Sequence, residues 1–239
     1  MNALSGNTVV VLGGTAGIGL ATARQAHAAG ARLIVTGRDE LRLKQVRDEL
    51  DATTAVLDLT DTAALTGFFA ALDAPVDHVL LSGPGPAYGP IHEIDFEEAR
   101  RELDLHLLTP LRVALECAGR VRPGGSLTLI SGTGARRAGH GLALIGIGTA
   151  GLASITANAA LELAPLRVNA VAAGFVDTPL SARLLGDRLD ERRDELRRTL
   201  PIGRVVQPDD VAALILHLMG NDALTGAIYD IDGGQKLTG

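Results

Sequence analysis

The chain has 239 residues, of which 46% are hydrophobic, which is enough to enclose the core of one domain. Its net charge of -6 argues against a generic nucleic-acid surface, because such a surface needs an excess of Lys and Arg. The single cysteine, Cys117, excludes an internal disulfide framework, and the first residues lack the basic segment and cleavage site of a secretory signal. We therefore expect one cytoplasmic domain spanning residues 1–239, with no nucleic-acid partner.

Apolar runs of strand length alternate with helical patterns along the whole chain. The predicted strands are Val9–Leu12, Leu33–Val35, Ala55–Leu57, Val79–Leu81, Leu127–Ile130, Val168–Val171 and Ala227–Ile231. Strands that are apolar on both sides and separated by helices require a parallel sheet covered on both faces. The sequence therefore predicts an α/β fold with a doubly wound parallel sheet, the Rossmann fold. Breaks at residues 83–86, 123–125 and 173–179 place several loops beside strand ends, where ligands bind.

A glycine-rich turn follows the first predicted strand at once. Residues 12–19 read LGGTAGIG and open a helix. In this position glycines permit a tight turn, and backbone N–H groups with the helix dipole can meet a pyrophosphate. An ordinary strand–helix turn is the alternative interpretation, but the surrounding βαβ pattern favours a dinucleotide site. Its predicted contacts are Gly13, Thr15, Gly17, Ile18 and Gly19.

The residues after the second predicted strand indicate which dinucleotide is bound. Residues 35–38 read VTGR, with no carboxylate where an NAD enzyme would hold the ribose diol. The guanidinium of Arg38 offers bidentate hydrogen bonds to the 2′-phosphate of NADP, and Thr15 adds a hydroxyl. The alternative is that Arg38 pairs with Asp39 or Glu40 on the surface. We favour NADP as the cofactor.

The spacing Gly13-xxx-Gly17-Ile18-Gly19 resembles the glycine motif of the short-chain dehydrogenases/reductases, and the likeness extends over essentially the whole chain. Residues 57–60 (LDLT), 169–178 (NAVAAGFVDT) and 229–234 (YDIDGG) resemble the family's adenine-side aspartate, nicotinamide-side segment and C-terminal strand. The resemblance implies further cofactor contacts at Asp58, Leu59, Ser82, Gly83, Gly174, Val176 and Thr178. Taken alone, Asp58 is equally well explained as a residue near a helix N-cap.

The same resemblance implies an active site of Ser, Tyr, Lys and Asn, and this chain departs from it at every position. Aligned on residues 125–130 and 150–152, those positions fall on Gly132, Ile145, Thr149 and His106. The family's NNAG motif is replaced by Leu81-Ser82-Gly83-Pro84. A slip of one residue gives the serine role to Ser131. No slip restores the Tyr or the Lys, because the chain has no Tyr between Tyr88 and Tyr229 and its only lysines are Lys44 and Lys236.

Three side chains are candidate substitutes for the missing acid: His106, His140 and Tyr88. Histidine titrates near neutral pH, whereas an unassisted tyrosine is a weaker acid. A lone histidine is nevertheless more often structural. Ser131 and Thr133 follow the fifth predicted strand and are better suited to orienting a ligand than to donating a proton. The candidate catalytic residues are therefore Ser131, His106 and His140, and we expect no metal site.

These observations favour an atypical NADP(H)-dependent oxidoreductase that transfers hydride to or from a small organic substrate. An acceptor that is already activated, such as an iminium ion or a quinone-like carbonyl, needs no enzymic acid. One alternative is a catalytically inactive NADP-binding sensor or partner protein of the same fold. Another is an enzyme that uses the cleft for cyclisation or dehydration without redox turnover.

Two further segments carry predictions about assembly and the substrate cleft. Residues 141–161 contain no charge and could form a membrane helix, but their small and polar residues favour a helix buried on most sides, with no membrane partner. Residues 142–161 and 223–239 correspond to the surfaces by which the resembled family forms homodimers and homotetramers. Residues 178–200 resemble its substrate lid, although the Arg-rich part, 188–198, is equally explained as a solvated helix face.

Overall fold

The computed structural model describes residues 4–83 and 85–238. Its strands are β1 (Thr8–Leu12), β2 (Arg32–Gly37), β3 (Thr53–Val56), β4 (Val76–Leu81), β5 (Val121–Gly132), β6 (Arg167–Ala173) and β7 (Ile228–Ile231). They form one parallel sheet in the order β3-β2-β1-β4-β5-β6-β7. The strand order reverses between β1 and β4, which places a crevice at the carboxyl edge of the sheet. The predicted doubly wound sheet is confirmed, and every predicted strand run has its counterpart.

Helices cover both faces of the sheet. They are α1 (Gly17–Ala28), α2 (Glu40–Leu50), α3 (Thr62–Ala70), α4 (Phe96–Leu103), α5 (Thr109–Cys117), α6 (Ala143–Glu162), α7 (Pro179–Leu185), α8 (Leu189–Thr199) and α9 (Pro208–Gly220). One core cluster packs α1, α2 and α9 against Val9 and Val11 of β1. The other packs α3, α5 and α6 against Val10 and Leu12. Alternate residues of β1 therefore face opposite layers, which is why its sequence is apolar throughout.

The predicted break at residues 123–125 is wrong, because these residues lie inside β5. Val121 pairs with Val76, and the next pairs begin at Ser126 with His78, so β5 has extra residues opposite β4. Gly124 has a φ of +80°, a backbone conformation that glycine adopts without strain. The glycines thus form an irregular bulge within a strand rather than ending it.

Helix α6 lies against the sheet with one side only. Among the described residues, it is the one helix that is long and apolar enough to cross a membrane. An 18-residue stretch of it has a mean hydropathy of 1.5, and 33% of that stretch is buried. Its buried residues are Gly148, Leu152, Thr156 and Ala159, one per turn. The prediction of a helix buried on most sides is therefore wrong for the single chain. A row at this spacing is typical of a helix that covers a sheet with one face.

A buried polar cluster lies at the amino edge of the sheet. His78 on β4 contacts Asn7 through Nε2 at 3.0 Å and Ser126 Oγ through Nδ1 at 2.9 Å. The adjacent Asp77 accepts the N–H of Thr8 at 2.5 Å. Burial lowers the pKa of His78 from its usual 6.5 to about 4. The imidazole is therefore neutral at physiological pH and joins three segments of the sheet.

Candidate active site

The glycine-rich turn between β1 and α1 is a close crossing of backbone segments. Gly13 has a φ of +82°, and a Cβ there would lie 2.1 Å from the carbonyl oxygen of Ser82. A Cβ at Gly19 would lie 2.3 Å from the Gly13 oxygen. Gly17 has a φ of +51° and faces Thr178, whose Cγ2 would lie 3.4 Å from its Cβ. Gly13 and Gly19 leave no room for a side chain, and the positive φ of Gly17 favours glycine, so the turn reaches the loops that follow both β4 and β6.

The first turn of α1 is open to an anion. Its N-cap residue, Ala16, makes no side-chain cap hydrogen bond, and the turn contains no acidic residue. The N–H groups of a helix N-terminus need partners, and the helix dipole favours a negative one. Thr15 and Ile18 lie half-buried beside this turn. The backbone donors and the absence of side chains at the glycines fit the pyrophosphate of a dinucleotide.

Arg38 follows β2 at the same edge of the sheet, and it is exposed. Within residues 4–83 and 85–238 it makes no ion pair, so the surface pairing considered above is not observed. Asp39 instead is the N-cap of α2 and accepts two N–H groups of its first turn at 2.9 and 3.1 Å. A Cβ at Gly37 would lie 2.7 Å from Thr15 Cγ2, so Thr15 packs directly over the residue before Arg38.

The predicted contacts Asp58, Leu59, Ser82 and Gly83 follow β3 and β4 at the carboxyl edge of the sheet. Asp58 Oδ1 accepts the N–H and the hydroxyl of Thr60 at 2.9 and 2.8 Å, and these hydrogen bonds lower the pKa of Asp58. The N-cap of α3 is Asp61, three residues farther on. Ser82 donates its N–H to the Leu12 oxygen at 2.9 Å. Pro84, the last residue of the segment 81–84, lies outside the described residues.

The turn between β6 and α7 carries three further predicted contacts: Gly174, Val176 and Thr178. The C-terminal tail holds this turn, because Gln235 Oε1 accepts the N–H of Phe175 at 2.9 Å. A Cβ at Gly174 would lie 2.7 Å from Asp232 Cβ and also 2.7 Å from Gln235 Oε1. Val176 is buried, and the Thr178 hydroxyl caps α7. The tail therefore fixes the loop that faces the glycine-rich turn.

The positions aligned with the family's Ser, Tyr and Lys are neighbours around the first turns of α6. A Cβ at Gly132 would lie 3.6 Å from Thr149 Cγ2, and a Cβ at Gly134 would lie 3.2 Å from Ile145 Cγ1. The Thr149 hydroxyl donates to the Ile145 carbonyl oxygen at 2.9 Å, within its own helix. These positions are in contact, and the side chains of Gly132, Ile145 and Thr149 provide no acid for a ligand.

Three of the substitute residues lie away from this cluster. Ser131 precedes Gly132 in β5, so its side chain lies on the opposite face of the sheet from the Gly132 position. His140 is exposed in the turn before α6, and Tyr88 is 56% exposed in the loop after β4. Neither His140 nor Tyr88 makes a side-chain hydrogen bond or ion pair within the described part of the chain. The structure therefore does not bring these three to Thr149.

His106, by contrast, lies against α6. It belongs to a π-helical turn, Asp104–Leu108, between α4 and α5, and a Cβ at Gly148 would lie 3.5 Å from His106 Cβ. Its buried Nε2 is 3.3 Å from Oε2 of Glu102. The same oxygen accepts the N–H of Ala87 at 3.1 Å. The sequence motifs did not indicate Glu102. The spacing is nevertheless informative, because a carboxylate four residues before a histidine on a helix lies beside it.

The other side of the cleft is formed by α7 and α8, which make up most of the predicted lid, residues 178–200. A Cβ at Gly85 would lie 2.4 Å from Leu180 Cδ1, so α7 touches the loop after β4. Arg193 donates two hydrogen bonds to Asp177, at 3.0 and 2.7 Å, and so joins α8 to the loop after β6. Most of the Arg-rich face is exposed, but Leu196 is buried. The segment is thus docked rather than simply solvated.

Known proteins match nearly the whole chain. A family model described as enoyl-(acyl carrier protein) reductase matches residues 13–236. The short-chain dehydrogenase/reductase MalC of Malbranchea aurantiaca is 28% identical over 253 residues, covering 98% of this chain and 96% of that protein. The cis-4-hydroxycyclohexanecarboxylate dehydrogenase of Sinomonas cyclohexanicum is 31% identical, covering 97% of each. The chain belongs to the short-chain dehydrogenase/reductase family.

Solved structures of this family are similar over the same length. The MalC reductase/Diels–Alderase from Malbranchea aurantiaca superposes on this short-chain dehydrogenase/reductase with a TM-score of 0.91 at 27% identity, covering 99% of this chain and 98% of that one. BdcA in complex with NADPH gives a TM-score of 0.87 at 26% identity, with 97% and 95% covered. The protein is thus an oxidoreductase of the short-chain dehydrogenase/reductase type.

Proposed function

We propose that this short-chain dehydrogenase/reductase binds NADP(H) and transfers hydride to or from a small organic substrate without the family's Tyr and Lys. The nicotinamide supplies the hydride when it is bound, and the chain's residues bind and orient the two reactants. One observation carries the proposal: the turn at Gly13 fits a pyrophosphate, whereas Gly132, Ile145 and Thr149 offer no acid.

The preference for NADP(H) is supported by the surroundings of Arg38. Among the described residues its guanidinium makes no ion pair within 4 Å, although its charge helps to lower the pKa of Asp58, and Thr15 packs over the preceding residue, Gly37. A guanidinium and a hydroxyl at this edge suit a 2′-phosphate. The similarity to BdcA, whose structure contains NADPH, points the same way.

The missing acid restricts the substrate. General acid–base assistance is worth about a hundred- to ten-thousand-fold in rate, so a neutral ketone is a poor acceptor without it. An iminium ion already carries the positive charge that an acid would otherwise supply. Hydride addition to it leaves a neutral amine and no developing anion to stabilise. We therefore propose an iminium ion, or a quinone-like carbonyl, as the acceptor.

The test compares a cationic acceptor with a neutral one. Consumption of NADPH is followed with the N-methyl-3,4-dihydroisoquinolinium ion, whose charge is fixed, and with the neutral ketone cyclohexanone. We expect the iminium ion to be reduced at least about a hundred times faster relative to its uncatalysed rate. Equal acceleration of both would refute the preference for activated acceptors. NADPH binding without turnover of either probe would favour the inactive sensor or partner protein.

A second candidate function is cyclisation in the same cleft. The relative MalC is described as a reductase/Diels–Alderase, and its structure covers 99% of this chain. A cycloaddition depends on shape and orientation rather than on a proton donor, so the residues around Ile145 are compatible with it. NADP⁺ cannot donate a hydride. A cyclised product that still forms when NADPH is replaced by NADP⁺ would therefore distinguish cyclisation from reduction.

We also propose that the protein forms a homodimer or homotetramer. Apolar side chains on α5 and α6 are exposed in the single chain: Leu111 (45%), Leu115 (70%), Ile147 (54%) and Leu161 (77%). Large exposed apolar residues grouped on neighbouring helices are typical of subunit interfaces. Sedimentation that shows only monomer at micromolar concentration would contradict this assembly.

A further inference from the structure

We propose that Glu102 positions His106, and that this pair provides the proton for acceptors that need one. The inference rests on the proposed function, because it concerns the same hydride-transfer site. It also selects one residue from the three candidate acids. His106 would be the catalytic residue, and Glu102 would act only through it.

The carboxylate of Glu102 contacts both His106 and the loop after β4. Its Oε2 lies 3.3 Å from His106 Nε2 and 3.1 Å from the amide nitrogen of Ala87. The side chains of Glu102 and His106 are only 20% and 30% exposed. Within the described residues, Glu102 has no Arg or Lys partner. A half-buried carboxylate without a cation needs hydrogen-bond donors, and the imidazole and the loop amide are the donors at hand.

The orientation of the ring follows from this contact. The buried Nε2 of His106 has no well-aligned hydrogen bond among the described residues, although the carboxylate oxygen is close. Catalytic hydrogen bonds are often long in unliganded enzymes and tighten when a ligand binds. A proton on Nε2 directed at Glu102 leaves Nδ1 as the nitrogen that exchanges a proton with the substrate.

Few other charged groups act on this ring. Helix α6, which packs against it, has no ionisable residue before its last position, Glu162. On the helix side, Arg112 is engaged by Asp104 through hydrogen bonds of 3.1 and 2.9 Å. The loop after β4 contributes Tyr88, next to Ala87. Glu102 is therefore the anion in direct contact with His106.

For a ketone, His106 would supply the proton that the reduced oxygen needs. With the cofactor bound, the carbonyl carbon of a ketone would gain a hydride from the reduced nicotinamide, which would be oxidised, and the C=O π pair would move to oxygen. The Nδ1–H bond of the His106 imidazolium breaks as the O–H bond of the alcohol forms. The neutral imidazole regains its proton from solvent, with Glu102 unchanged. A fixed-charge iminium ion needs no such proton.

The first test reads the ring directly and needs no activity. Glu102→Leu keeps a side chain of similar size but removes the one oxygen that contacts both the Ala87 N–H and His106 Nε2. We expect ¹⁵N chemical shifts to place the proton of neutral His106 on Nε2 in the wild type, and the share of this tautomer to fall in Glu102→Leu because the buried N–H loses its acceptor. His106→Gln assigns the signals. Glu98→Leu, one turn earlier on the exposed face of α4, is the matched control and should leave them unchanged. Unchanged tautomer populations in Glu102→Leu overturn the proposal.

The second test separates positioning from structural damage. Glu102→Leu should lower the rate of cyclohexanone reduction at least about tenfold relative to Glu98→Leu and leave reduction of the N-methyl-3,4-dihydroisoquinolinium ion within about twofold. An equal loss with both probes would make Glu102 structural and overturn the proposal. If the wild type reduces neither probe, the proposed function fails, while the ¹⁵N result still decides whether Glu102 holds the ring.

Discussion

The β1–α1–β2 region and the β5–α6 region of this protein differ in how closely they follow the family pattern. In the first, glycines occur where the backbone leaves no room for a side chain, as at Gly13 against Ser82. In the second, the corresponding positions are in contact but carry Gly132, Ile145 and Thr149. The two regions lie on one sheet and share its core. On the proposed assignment, a cofactor site and a proton-transfer site change independently on one scaffold.

The largest expected effect is at Gly13, where the close packing of the cofactor region can be broken. A methyl group in Gly13→Ala would have to occupy space 2.1 Å from a backbone oxygen at a φ of +82°. We expect unfolding or a loss of NADPH affinity of at least about a hundredfold, roughly 3 kcal/mol. Calorimetry and thermal unfolding measure both. Gly67→Ala, with no atom within 4 Å, is the control and should retain wild-type binding. Wild-type affinity in Gly13→Ala would contradict the packing argument.

The next effect is a loss of stability at low pH, caused by protonation of the buried His78. The two regions must therefore be compared at a pH where the protein stays folded. Burial lowers the pKa of His78 to about 4 from 6.5, so its contribution to stability is fully present above pH 6.5 and is lost as the pH falls toward 4. The loss amounts to roughly 3 kcal/mol. Urea unfolding between pH 4 and 8 measures it. His78→Gln, which keeps a hydrogen-bonding side chain, should flatten this part of the profile. An unchanged profile in the variant would assign the pH dependence to other groups.

Restoring the missing residues should make the β5–α6 region resemble the family. A Cβ at Gly132 would make ordinary contact with Thr149 at 3.6 Å, so a serine fits there. We expect Gly132→Ser with Ile145→Tyr and Thr149→Lys to increase cyclohexanone reduction about a hundredfold, the lower range for an added general acid. The single variant Thr149→Lys is the control and should gain little. A folded, NADPH-binding triple variant with no gain would show that the alignment or the cleft has been misassigned.

The smallest expected effect is on NADPH affinity, and it tests the role of Arg38 in the cofactor region. Arg38→Ala should weaken NADPH binding about tenfold and leave NADH binding unchanged, because only NADPH carries the 2′-phosphate. Fluorescence titration with both cofactors measures this. Arg47→Ala, an exposed arginine on α2, serves as the charge-matched control. Equal weakening for both cofactors would mean that Arg38 supports the fold rather than the phosphate.

The fold could be predicted because local sequence and tertiary structure agree in most elements. The run Val9–Leu12 is apolar at every position, and the structure buries alternate residues of β1 in two different layers. The glycines at 124 and 125 gave the opposite signal, since they indicate a turn while the pairing of β4 with β5 continues around them. The composition of helix α6 overestimates its burial, because composition alone does not tell which side of an apolar helix faces the sheet.

The candidate site was predictable only where a motif fixes the backbone. The glycine-rich turn has that property, and the structure brings Gly17 to Thr178 from more than a hundred residues away. Glu102 belongs to no motif. Its contact with Ala87 depends on how the loop after β4 packs, and the π-helical turn that carries His106 is set by packing against α6. Contacts of this kind depend on tertiary structure and leave little trace in a single sequence.

The most direct test of the central claim is a calorimetric titration of the purified protein with NADPH and NADH under matched conditions. We expect micromolar NADPH binding and NADH binding at least about tenfold weaker, because the glycine-rich turn is intact and Arg38 makes no ion pair within 4 Å among the described residues. Absence of binding to either cofactor would contradict the account, because the cofactor region would then have lost its ligand together with the catalytic residues.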